Sequence, residues 1–190
     1  MAELYHHGIK GQRWGIRRYQ NEDGTLTPAG RERYLHSRRV KRVYATQDQV
    51  DDIVSTMSKK DRKRLGMEAN EPYLSSPEEA STIAKRFTQK YSDTPVSFLD
   101  VYEGDKYLNV AIGTRSGEEY RGKGYASRIT KKAMKWIDAN ADKFSQEYVQ
   151  WWVRSDNIPS QKIAEKSGFK FDAAESAKYD SWKKYTKPIK

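Results

Sequence analysis

The sequence has 190 residues, with 36 Lys and Arg against 26 Asp and Glu, three His and no Cys; its mean hydropathy is −1.02. Although 33% of residues are charged, 36% are apolar and 12% aromatic, enough for one ordinary domain with a core and too many for whole-chain disorder. The lack of Cys excludes a disulfide framework, a Cys-ligated zinc and a thiol nucleophile. No apolar run approaches the ~20 residues of a bilayer span or the core of a signal peptide, so a cytoplasmic protein without a membrane partner is expected.

The net charge of +10 is unevenly spread. Residues 1–45 hold ten Lys and Arg and four Asp and Glu, a net of +6, together with all three His (His6, His7, His36). The other 145 residues carry 26 and 22, a net of only +4. The chain is therefore read as a basic, glycine-rich arm or module over 1–39 and an α/β domain over 40–190. Five glycines and Asn21-Glu22-Asp23-Gly24 break up residues 1–34, and a brief helix is expected to start at Thr27-Pro28.

From Val40 the pattern becomes periodic. Val40–Ala45 is expected as a strand, Gln47–Met57 and Lys59–Met67 as helices. Ser76-Pro77-Glu78-Glu79 predicts a helix start with Ser76 as N-cap, and the helix is expected to run to about Lys90. Val96–Tyr102 and Tyr107–Thr114 flank Glu103-Gly104-Asp105 as a β-hairpin. Tyr125–Ala139 places Ala126, Ile129, Ala133, Trp136 and Ile137 on one helical face. Tyr148–Val153 (strand), Ile158–Lys166 (helix), Phe169–Phe171 (strand) and an edge or terminal strand at Trp182–Tyr185 complete the order. The class is mixed α/β (α+β), with helices on a mainly antiparallel sheet. Trp136, Trp151 and Trp152 are all expected in the core.

The stretch from Val110 to Ala126 carries the chemistry. A strand runs into a loop holding Gly122 and Gly124, and the loop opens directly into the amphipathic helix. Unpaired N–H groups at a helix start favour an anion, glycines admit its close approach, and Arg121 and Lys123 add full charges. A pyrophosphate fits such a turn, although similar turns also occur where nothing binds.

Arg121–Ala126 reads R-x-x-G-x-A, and Asn157-Ile-Pro-Ser160 is followed by Glu165-Lys166-Ser167-Gly168-Phe169. In this order and spacing the two motifs resemble the acetyl-CoA site of the GNAT family of N-acetyltransferases, a likeness extending over roughly 40–190. The resemblance implies that the backbone of Ile112, Gly113 and Thr114 pairs with the pantetheine arm and polarises the thioester carbonyl. It further implies that Arg121, Gly122, Lys123, Gly124, Tyr125 and Ala126 hold the pyrophosphate, that Asn157 bonds the pantetheine and that Ser160 flanks it. The 107–114 and 148–153 strands would splay to admit the arm. An amine would attack acetyl-CoA directly, with catalysis coming from positioning and from donors aimed at the oxyanion.

The chain departs from the family pattern in places. Where relatives often carry a tyrosine acid it has Ala164, and Arg115–Tyr120 is about two residues longer than usual. Glu118 and Glu119 are candidates for a general base, with a solvated acidic loop as the alternative, and no catalytic residue is fixed.

Residues 5–34 resemble a segment recurrent in phage and prophage proteins of Gram-positive bacteria. The likeness implies a phage-encoded protein in a host cell, with possible virion association and a virion or host-protein partner for this segment. Interleaved Arg13, Trp14, Arg17, Arg18 and Tyr19 leave single-stranded nucleic acid open as another partner. His6-His7 lacks further ligands, and no metal site is expected. The alternative to an acetyltransferase is a catalytically silent phage protein of the same fold that binds nucleic acid or protein.

Overall fold

Two β-branched and aromatic runs joined at Gly104-Asp105-Lys106 form the centre of the sheet. In the computed structural model, which describes residues 21, 25–31, 47–67, 72–73 and 77–190, they pair antiparallel from Ser97↔Thr114 to Glu103↔Leu108. By internal contacts the chain divides into two units, residues 1–38 and 39–190. In the first, Thr27 Oγ1 accepts from Gly30 N at 3.1 Å and caps the helical turn 28–31, which Pro28 opens.

The second unit runs α1 (Gln47–Ser55), α2 (Lys59–Arg64), α3 (Pro77–Thr82), β1 (Ile83–Tyr91), β2 (Thr94–Glu103), β3 (Tyr107–Thr114), α4 (Tyr125–Asp138), β4 (Tyr148–Arg154), α5 (Ile158–Lys166), β5 (Lys170–Asp172), α6 (Ala173–Ser176) and β6 (Trp182–Pro188). The six strands are ordered β1-β2-β3-β4-β6-β5. Every pairing is antiparallel except β3 with β4, which are parallel.

Alternation along the strands divides the core between two faces. Leu99, Val101, Val110, Val149 and Trp151 meet the apolar stripe of α4, where Ile129 and Ile137 are fully buried. Each such side chain contributes about 1.5–3 kcal/mol on burial. On the opposite face Val50, Ile53 and Val54 of α1 pack with Met57 against Phe98. Gly113 lies under this contact, since a Cβ there would come within 2.3 Å of the Phe98 ring and 2.7 Å of Met57 Cε.

Beside Phe98 on that face lies a buried polar cluster. Arg86 Nη2 donates to Asp100 Oδ2 at 2.7 Å and Arg86 Nη1 donates to Gln47 Oε1 at 2.7 Å. Tyr73 donates to Asp100 at 3.1 Å and is also bonded to the Tyr102 hydroxyl. Burial pushes the Asp100 carboxyl up, against the opposing pull of Arg86.

Several expectations change. The helix expected to reach Lys90 ends at Thr82, and 83–91 form β1. Pairing overrides local propensity there: Arg86 stands opposite Asp100 and Phe87 opposite Leu99. Of the two alternatives for Trp182–Tyr185, the structure gives the last strand in chain order, Trp182–Pro188, and not an edge, because β6 lies between β4 and the three-residue β5. Trp136 and Trp152 are only half-buried, whereas Trp151 is 3% exposed. Trp136 sits edge-on between Phe87 and Phe144 at the core margin. Trp152 faces away from α4 and packs on Tyr179. The expected strand Val40–Ala45, the N-cap Ser76 and the His6-His7 pair lie outside the described residues.

Candidate active site

β3 and β4 pair only over Tyr107–Asn109 with Tyr148–Gln150 and then separate. Beyond the last pair a cleft of about 600 Å³ opens between them. Asn109, Ala111, Gly113, Gln150 and Trp152 line it from the α1 face of the sheet, and Val110, Ile112, Trp151 and Val153 from the α4 face. The cleft therefore passes through the sheet.

One wall is the loop after β3. Gly122 and Gly124 hold φ values of +71° and +75°, in the left-handed region that favours glycine. Gly124 is the N-cap of α4 and offers no side chain to its first N–H groups. A Cβ on Gly122 would meet nothing within 4 Å. An uncapped fourteen-residue helix start beside open space, with backbone able to approach a ligand, has the form of an anion cradle. Arg128 steadies it by donating to Lys123 O at 3.0 Å and stacking 4.9 Å from the Tyr125 ring centroid.

Of the residues expected to hold cofactor, Ile112, Gly113, Thr114, Arg121, Gly122, Gly124, Tyr125, Ala126, Asn157 and Ser160 all line this cleft. Lys123 is exposed in the same loop and does not line it. Asn157 Oδ1 accepts from Ser160 N at 3.4 Å, so this side chain also caps α5. Glu118 and Glu119 are exposed and stand outside the lining, while Ala164 is fully buried in the core.

Residues that motif reading passed over complete the wall. Ser58 caps α2, and Asp61 Oδ2 accepts from Ser58 Oγ at 2.9 Å, Ser116 Oγ at 2.7 Å and Arg121 Nη2 at 2.8 Å. Arg64 adds a longer contact to Oδ1 at 3.5 Å. Burial works to raise the Asp61 carboxyl, but the serine hydrogen bonds and the charges of Arg121 and Arg64 outweigh it and hold the group below its ordinary value. The spacing Ser58-x-x-Asp61 is a capping-box signal visible in sequence, but its reach to Arg121 is not. Trp182, Met57 and Leu65 close the α1-side mouth.

No helix among the described residues is long and apolar enough to cross a membrane, and none of them form a cluster of three metal-ligating His, Cys, Asp or Glu side chains. No curated protein sequence matches the chain significantly. Among solved structures, the GNAT domain of PAT from S. lividans is similar in fold, with 10% identity, 76% of this chain and 86% of that chain covered, and a TM-score of 0.57. The spermidine N-acetyltransferase of Vibrio cholerae in complex with CoA and spermine aligns at 13% identity over 76% and 90% of the two chains, with a TM-score of 0.55. RimL, a ribosomal L7/L12 alpha-N-protein acetyltransferase in complex with coenzyme A, aligns at 17% identity over 79% and 90%, with a TM-score of 0.52. A family model described as an acetyltransferase (GNAT) domain matches residues 12–170. With that match spanning most of its length, over a sheet split where the motifs fall, the chain belongs to the GNAT acetyltransferase family.

Proposed function

We propose that the protein is an N-acetyltransferase that moves an acetyl group from acetyl-CoA to an amine. The observation that carries this reading is the cleft at the β3–β4 splay, with the uncapped, glycine-flanked start of α4 on its wall. The structural relatives from Vibrio cholerae and RimL are named for acetylating amines, a polyamine and a protein N-terminus respectively.

In this reading the N–H groups of 122–126 take the pyrophosphate and Arg121 neutralises part of its charge. The strand end Ile112–Thr114 pairs with the pantetheine arm. Asn157, with its oxygen committed to capping α5, offers its amide nitrogen to the arm, and Ser160 flanks it. Bound acetyl-CoA supplies an activated thioester carbonyl. The β3 backbone polarises that carbonyl, and the narrow slot excludes water and aligns the amine. The family's usual acid position is the buried Ala164, so the thiolate takes its proton from solvent or from another tyrosine, of which Tyr120 and Tyr125 line the cleft.

The likeness of residues 5–34 to segments of phage proteins supports a phage-encoded origin, with 1–39 acting as a docking module for a virion or host protein. Titration with acetyl-CoA followed by thermal melting tests the enzymatic reading. Saturating acetyl-CoA raises the melting temperature, and an absent shift overturns it.

A further inference from the structure

The wall of the cleft carries an unequal charge that bears on the acceptor. Among its described lining residues Asp61 is the single carboxylate, set against Arg64, Arg115, Arg121 and Lys162. Asp61 is already neutralised, with Arg121 at 2.8 Å and Arg64 at 3.5 Å. Arg115 is paired with Asp52, and Arg64 reaches Asp156 at 3.2 Å, outside the lining.

The α1-side mouth is otherwise apolar, aromatic or amide. Met57, Leu65, Trp152 and Trp182 surround it, with Asn109 and Gln150 at its floor. Trp152 is fixed by the edge-on Tyr179 ring at 5.0 Å, and Arg154 lies over the Trp182 ring at 5.3 Å.

We infer that the acceptor is a monoamine on an apolar or aromatic body, neutral or anionic elsewhere, and not a polyamine. This rests on the proposed acetyl-CoA reaction at the same cleft. Among the described residues a second ammonium has no free carboxylate to meet on this wall, since Asp61 is held by Arg121 and Arg64, and Lys162 adds a positive charge with no carboxylate partner. In the transfer, the amine lone pair forms the N–C bond, the C–S bond breaks, the thiolate leaves with that electron pair, and the amine's surplus proton goes to water.

The test measures thiol release by the full chain at saturating acetyl-CoA, with 2-phenylethylamine and spermidine as acceptors. The expected result is a kcat/KM at least ~10-fold higher for 2-phenylethylamine. Trp152→Ala is expected to lower the 2-phenylethylamine value by a larger factor than it lowers spermidine's, narrowing the ratio between them. Acetyl-CoA binding is measured calorimetrically on the same preparation. If acetyl-CoA fails to bind, the underlying acetyltransferase reading falls. If it binds but spermidine is the equal or better acceptor, or 2-phenylethylamine releases no thiol, the inference about the acceptor alone is overturned.

Discussion

Asn109 and Gln150 are the last paired residues of β3 and β4, and their side chains are joined on the α1 face, with Gln150 Nε2 donating to Asn109 Oδ1. Above them the strands part and the cleft begins. The bond sits at the vertex of the opening, where it sets the angle between the two walls.

Gln150→Ala is expected to cost about 1 kcal/mol of stability, the net value of one such hydrogen bond. It also loosens the vertex, so kcat should fall along with stability. Chemical denaturation together with thiol-release kinetics reads both. Unchanged kcat in a destabilised variant would confine the pair to a structural role.

Gly113 tests the fit between β3 and α1. Gly113→Ala places a Cβ against Phe98, which is fully buried, and against Met57 Cε. Overpacking of this kind costs typically 1–3 kcal/mol, read as a lower denaturation midpoint. Adding Phe98→Leu should recover part of the loss.

Asp100 and Arg86 form a buried ion pair at 2.7 Å, with side chains 0% and 3% exposed. Asp100→Ala strands the Arg86 charge and is expected to destabilise by roughly 3–5 kcal/mol. Replacing both residues with apolar ones of similar size is expected to cost far less, because no unpaired charge remains. Denaturant midpoints of the single and double variants decide this.

Asp61 has a direction in pH. Its folded carboxyl is held below its ordinary value, so the stability it contributes is present above the unfolded pKa, ~3.9. That contribution is lost as pH falls through the lower folded value. The difference in melting temperature between wild type and Asp61→Asn should be widest near neutral pH and narrow as pH falls below ~4. A gap that widens on acidification would contradict the assignment.

Much of this was legible in the sequence where local pattern and tertiary demand agree. The stripe of α4, the hairpin Thr94–Thr114 and the capped helix Ile158–Lys166 each follow from residues close along the chain. β1 was not legible. Its turn into β2 uses Ser92, at φ +51°, in place of the usual glycine, and residues 80–91 contain no glycine or proline to mark a break. The order that places β6 between β4 and β5 arises from long-range pairing, which no local period encodes. At the site, the glycine loop and Asn157 carry motif signals, whereas Asp61 meets Arg121 from sixty residues away.

With Arg121 on the pyrophosphate as proposed, Arg121→Ala is expected to raise the KM for acetyl-CoA by ~3–10-fold with little change in kcat, since one exposed, charge-assisted contact would be lost and no group at the reacting carbon. Steady-state kinetics with acetyl-CoA varied checks this split.

The most direct test of the acetyltransferase reading is calorimetric titration of acetyl-CoA into wild type and Gly122→Trp, a substitution that puts a ring where a Cβ now meets nothing within 4 Å. Saturable binding by wild type, abolished in a folded Gly122→Trp variant, is the result predicted. No binding by wild type, or equal binding by both proteins, would contradict the cradle at the start of α4.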